Sequence, residues 1–258
     1  MPARLLVLCT ALALAAGCGG DKPAATPPAT PTSTQAPAPA EPEEAEPTIS
    51  GASCLAPGNG TKSVRFASED RLAGYLMGAG RRFVILAHQS DGDACQMFQL
   101  GVELEAAGYR VLALDFSGTG KSRLPASAET RVAVDLAEAV AYARDRGARS
   151  VGVIGASMGG LAALAAGARV QPPTDAVVAL SAPNEFGTEQ VPSLRGFPSP
   201  LQVYVARDDS YFTADARAFV REDRSAQLIL LPGFSHGIAL VDDALFARIE
   251  QFLGNHLR

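Results

Sequence analysis

Residues 151–160 read Val151-Gly152-Val153-Ile154-Gly155-Ala156-Ser157-Met158-Gly159-Gly160, and an alanine-rich stretch, Leu161 to Arg169, follows at once. A short apolar, β-branched run that ends at glycine and passes into a helix former predicts strand, tight turn and helix. Ser157 then stands at the apex of a G-x-S-x-G turn. Such a turn is too sharp for bulky side chains two residues either side of the serine, which accounts for Gly155 and Gly159. It thrusts the hydroxyl outward, and a helix beginning at Met158 aims backbone N–H groups at any negative charge forming beside it. An unreactive serine in a glycine-rich βα turn has the same spelling, so the partners of Ser157 decide between the two.

Outward from this unit, strands and helices alternate. Lys62–Phe66 and Arg71–Met77 read as an antiparallel pair joined by the turn-prone Ser68-Glu69-Asp70. Phe83–Ala87 is a continuous apolar run, as expected of a strand buried on both faces. His88 to Asp93 lead into a helix expected over Ala94–Ala107, closed by Gly108, and Tyr109–Asp115 forms the next strand. Helices are expected over Glu129–Arg146, near Thr213–Val220 and over Asp242–Leu257; Asp175–Leu180, Leu201–Ala206 and Gln227–Leu231 supply three more strands. This alternation predicts an α/β fold, a mostly parallel sheet with helices on both faces, and ligands bind such sheets at the carboxyl ends of the strands.

The chain divides into three parts. Arg4 and the apolar run Leu5–Ala16 make residues 1–17 a secretory signal, too short for a membrane span. The ending Ala15-Ala16-Gly17-Cys18 resembles a bacterial lipoprotein lipobox, with Leu14 one place early and Ala15 in its slot. That resemblance implies an exported protein anchored to the outer face of a bacterial membrane by lipid on Cys18; ordinary secretion leaves Cys18 free. Residues 18–48, dominated by Pro, Ala, Thr and Glu, lack hydrophobic periodicity and read as an unfolded tether. Residues 49–258, about 210 in number, suffice for one sizeable core. They hold 20 of the 22 basic and 22 of the 27 acidic residues with no basic run, which argues against nucleic acid as a partner. Cys9 leaves with the signal and Cys18 takes the lipid, so Cys54 and Cys95 remain as one candidate disulfide, the alternative being two separate buried thiols. On the chain-entropy model closing that loop stabilises by about 4 kcal/mol.

A nucleophilic serine needs a base, and the base an orienting acid. Of the 3 histidines, His88 ends a strand and His256 lies in the tail, whereas His236 follows the last strand on the loop Pro232-Gly233-Phe234-Ser235-His236-Gly237. The acid is expected after the preceding strand, where Arg207-Asp208-Asp209 offers Asp209 first and Asp208 as its rival. Gly118-Thr119-Gly120-Lys121-Ser122 imitates a phosphate-binding loop, but Asp115 stands where that motif needs a glycine. The histidines are scattered and the two remaining cysteines far apart, so no metal site is predicted.

The order Ser157, Asp209, His236 resembles that of the serine α/β-hydrolases, and the resemblance extends over residues 62–258. His88-Gln89-Ser90 occupies the place of that family's His-Gly-x loop, with Gln89 departing from glycine. Asp115-Phe116-Ser117-Gly118-Thr119-Gly120-Lys121-Ser122 resembles its D-x-R-G-x-G-x-S segment, Ser117 replacing arginine. The resemblance implies acyl transfer from a small ester to water without a cofactor, with an oxyanion hole formed by the N–H groups of Ser90 and Met158. The same triad also serves peptidases and acyltransferases, and a binding lipoprotein can keep the fold without turnover. Serine at the elbow argues against a haloalkane dehalogenase, which carries aspartate there; dienelactone hydrolases resemble the chain in their compact, lidless build but use cysteine. Only Asn184–Pro200 separate two strands where a lid is often inserted, so no cap domain is expected. Met97, Phe186, Tyr211, Phe212 and Phe234 are candidates to line an acyl pocket, each with ordinary core packing as its alternative.

Overall fold

The computed structural model describes residues 60–67, 71–124 and 131–258. The signal, the tether, Cys18 and Cys54 lie outside the described residues.

Eight strands, β1 (Lys62–Phe66), β2 (Leu72–Met77), β3 (Arg82–Ala87), β4 (Arg110–Asp115), β5 (Ser150–Ala156), β6 (Ala176–Leu180), β9 (Leu201–Ala206) and β10 (Gln227–Leu231), form one sheet. A two-stranded hairpin, β7 (Glu185–Phe186) with β8 (Glu189–Gln190), is separate from it. The main sheet is ordered β1-β2-β4-β3-β5-β6-β9-β10. From β4 to β10 every pairing is parallel, whereas β2 runs antiparallel to both β1 and β4. The chain leaves β3 toward one edge and returns to its other side as β5. The carboxyl ends of β3 and β5 therefore flank a switch point, where a parallel sheet opens a crevice.

Helices cover both faces. Helices α2 (Val132–Asp145), α3 (Met158–Gly167) and α4 (Ser210–Glu222) pack Leu136, Leu161, Leu164 and Phe219 on one face. On the other, α1 (Phe98–Ala106) and α5 (Asp243–His256) pack Leu104, Ile249 and Leu253. Every residue of α3 is buried, so the helix that begins beside Ser157 has no solvent face.

The helix expected over Ala94–Ala107 is broken into a 3-10 turn, Ala94–Met97, followed by α1. The Ala94 N–H donates to Asp115 Oδ1 at 2.8 Å and the Cys95 N–H to Asp93 Oδ1 at 2.8 Å, so side chains hold the first amides. Helix α4 starts three residues earlier than expected, directly after Asp209. The hairpin β7–β8 occupies the linker between β6 and β9, and no cap domain is inserted there.

Arg71 compensates for Ser117. Its guanidinium pairs with Asp135 Oδ1 at 2.9 Å and also donates to Ser117 Oγ, while the Ser117 N–H donates to Asp135 Oδ2 at 2.8 Å. The Asp135 side chain is 1 % exposed. Arg71→Ala leaves that carboxylate with the Ser117 N–H but no counter-charge, and the expected cost is about 3 kcal/mol, measured as a lowered urea midpoint.

Two core tyrosines respond to alkali. Burial pushes the hydroxyl of Tyr75 on β2 up to about 12 from 10.0, with Asp115 and Asp93 adding to it. Burial likewise pushes Tyr204 on β9 up to about 12. Tyr204 donates to Gln202 Oε1 at 2.6 Å. Raised folded values mean that stability is fully present below about pH 10 and lost as pH climbs toward about 12, because the unfolded chain ionises first. Tyrosinate absorbance should show these two titrating late, with the unfolding midpoint falling over the same interval.

Candidate active site

Ser157 links β5 to α3 with φ +49° and ψ −115°, a strained conformation for a residue with a side chain. Its N–H donates to Leu180 O at 2.8 Å, and its carbonyl accepts from Gly160 N at 2.8 Å and Leu161 N at 3.1 Å. The two flanking glycines are explained by close approach. A Cβ at Gly155 would lie 2.0 Å from Gly159 O, and one at Gly159 would lie 2.2 Å from Ala87 O. The serine turn is thus pressed against the end of β3. Met158 opens α3, so its N–H is among those that a helix cannot satisfy internally.

Asp209 lies between β9 and α4. Its carbonyl accepts from Thr213 N and Thr213 Oγ1, both at 2.9 Å, and its N–H donates to Ala206 O at 3.2 Å. Its carboxylate takes no helix amide and instead meets the imidazole: His236 Nδ1 and Asp209 Oδ2 are 2.8 Å apart. Asp208 is exposed and its N–H donates to Gly233 O at 2.9 Å, which ties together the loops after β9 and β10. The Phe212 ring packs on the imidazole, centroids 4.3 Å apart. A Cβ built at Gly237 would be 3.6 Å from Ala156 Cβ, so the histidine loop lies against the residue preceding Ser157. His256, by contrast, packs edge-on against Phe252 at the far end of α5.

Ser90 sits exposed on the turn after β3. His88 is fully buried beneath it and serves the loop. The Phe116 N–H must donate to Nε2 (3.2 Å), which leaves the hydrogen on Nδ1 to donate to Gln89 O at 2.7 Å. Burial lowers the His88 pKa, in keeping with this neutral ring. In a trans peptide C=O and N–H point opposite ways, so this bond also fixes the direction of the Ser90 N–H.

The Gly118–Ser122 loop is closed on itself. Asp115 Oδ2 accepts from Lys121 N at 2.8 Å, and a Cβ at Gly120 would meet the carboxyl at 2.3 Å. Burial raises the Asp115 pKa. The loop therefore wraps a carboxylate of its own chain in the place where a phosphate-binding loop holds its ligand. Among the described residues no three His, Cys, Asp or Glu side chains converge to hold a metal ion.

Of the pocket candidates, Met97 is fully buried in the core and Phe186 is half-buried against it. Tyr211 and Phe234 are exposed, at 61 % and 82 %, beside the two residues of the imidazole pair. Phe212 is the one in contact with the histidine. The sequence offers Phe212 only as a pocket candidate, and its tilted contact with the imidazole forms when the loop after β10 meets the start of α4.

Residues 78–205 match the family model for serine aminopeptidase, S33, a span that includes Ser157 and stops short of Asp209. An esterase from Pyrococcus furiosus superposes with TM-score 0.66 at 20 % identity, covering 77 % of this chain and 91 % of that one. A dienelactone hydrolase from Anabaena variabilis gives 0.59 at 21 % identity, covering 77 % and 98 %. An esterase/lipase from an uncultured bacterium gives 0.60 at 16 % identity, covering 76 % and 84 %. No match was found among curated protein sequences. With a strand order that turns back at β3 and a serine elbow seated on that turning point, the chain has the α/β-hydrolase fold.

Proposed function

We propose that the protein is an extracytoplasmic serine hydrolase that cleaves carboxylic esters or thioesters through an acyl-enzyme, with Ser157, His236 and Asp209 as its triad. The observation that carries the reading is the 2.8 Å contact between His236 Nδ1 and Asp209 Oδ2 on a loop packed against the serine elbow. The Asp209 carboxylate holds the hydrogen on Nδ1, which frees Nε2 to take the Ser157 proton as Oγ bonds to the ester carbonyl carbon. The oxyanion is received by the N–H groups of Met158 and Ser90. Collapse breaks the bond to the leaving alcohol, which takes the proton from His236. Water then attacks the acyl-enzyme, giving its proton to the same imidazole, and the carboxylic acid leaves with Ser157 restored.

The match to a serine aminopeptidase family supports a second reading, in which the leaving group is an amine. The uncapped site suits small substrates or the exposed end of a larger one. Signal removal, lipid on Cys18 and a tether over residues 18–48 would set the domain on the outer face of a membrane. Cys95 is disulfide-bonded, which supports Cys54 as its partner if Cys9 leaves with the signal and Cys18 takes the lipid, as proposed here.

Hydrolysis of p-nitrophenyl esters from acetate to palmitate, beside aminoacyl p-nitroanilides, tests the reading. Ester turnover with labelling of Ser157 by a fluorophosphonate is the expected result. Anilide turnover alone would move the assignment to peptidase, and turnover of neither without labelling would overturn hydrolysis.

A further inference from the structure

The loop after β3 and the loop after β10 are far apart in the chain, and one side chain joins them. Gln89 Oε1 accepts the N–H of Ile238 at 3.2 Å, while its Nε2 donates to Asp91 Oδ1 at 3.3 Å. Its own N–H donates to Gln96 Oε1 at 3.2 Å, and Gln96 Nε2 donates to the same Asp91 oxygen at 3.0 Å. These bonds, that from Gln96 foremost, hold the Asp91 carboxyl below its ordinary range.

The receiving end is shaped for this contact. His236 is followed by a 3-10 turn, Gly237–Leu240, which has no side-chain cap from His236, so the first amides of the turn need an outside acceptor. Gln89 Oε1 is that acceptor for Ile238. Gly237 has φ +57°, and a Cβ there would lie 2.2 Å from Gln89 Oε1, so the glycine and the glutamine fit as a pair. Gln89 thereby ties the turn that begins at the catalytic base to the turn that carries Ser90. Where the family resemblance calls for glycine, this chain uses a side chain.

We propose that Gln89 is a positioning residue, whose carboxamide locks the histidine loop to the oxyanion loop so that His236 and the Ser90 N–H act on the same carbonyl. The assignment rests on the hydrolase reading above. A displacement near 1 Å in such a site costs about 100-fold in rate.

The test uses the purified full chain with Gln89→Gly, Gln89→Ala and Gln89→Glu, assayed on the best ester, with melting temperature and Ile238 amide exchange measured in parallel. Expected for Gln89→Gly and Gln89→Ala is a fall in kcat of about 10- to 100-fold, with KM within a few-fold and faster Ile238 exchange. Gln89→Glu keeps an oxygen for Ile238 but turns a carboxylate oxygen toward Asp91 Oδ1 where Nε2 donates, so its kcat should fall between those of wild type and Gln89→Ala. Wild-type kcat in Gln89→Gly overturns the assignment, as does a loss accounted for by the unfolded fraction alone. A wild type no faster than Ser157→Ala ends the hydrolase reading and this role with it; an active wild type with unaffected Gln89 variants ends only this role.

Discussion

Ser157→Ala should lower ester turnover by about 10⁵- to 10⁶-fold, leaving the residual acceleration that binding and the oxyanion hole supply on their own. The effect is large because the attacking oxygen itself is removed. Ser157 is held by the Leu180 carbonyl on one side and by the start of a fully buried helix on the other. The variant should fold. Alanine removes one oxygen from a residue that is 9 % exposed, and the strain at φ +49° belongs to the backbone of either residue. Circular dichroism and melting temperature close to wild type, with turnover near background, would place the loss in chemistry. Persistent turnover would mean that another group performs the attack.

The second large effect separates two neighbours. Asp209→Asn should lower kcat by about 10⁴-fold, because an amide donating to His236 Nδ1 forces the hydrogen onto Nε2, where the serine proton must go. Asp208→Asn should stay within a few-fold of wild type, since its exposed side chain plays no part in the imidazole pair. Steady-state kinetics on both variants checks this, and an equal loss in the two would contradict it.

The serine turn was legible because everything it needs is local: a β-branched run, two glycines and a small-residue helix within a few positions. What the local pattern understated is why the glycines are required, since Gly159 meets the carbonyl of Ala87, more than 70 positions away. The choice between Asp208 and Asp209 was legible only as a preference for Asp209. Both follow the same strand, and which carboxylate turns inward is fixed by Thr213 bonding back to Asp209 as α4 begins. Likewise nothing near Ser117 announces Arg71, because the pair with Asp135 forms only when strand and helix pack. Met97 illustrates the converse, an apolar residue beside a site that the fold assigns to the core.

Ser157 and its proposed base are held by regions of unequal strength. Ser157 hangs from β5 at the centre of the sheet, whereas His236 hangs from β10, which among the described residues is an edge strand paired only with β9 and half-covered along most of its length. Edge elements open at lower free energy than central ones. Under mild denaturant the proton relay should therefore come apart while the nucleophile is still in place, and activity should fade before helical circular dichroism does. The proposed activity would then be lost from the rim inward, and quick dilution should restore it without refolding of the core.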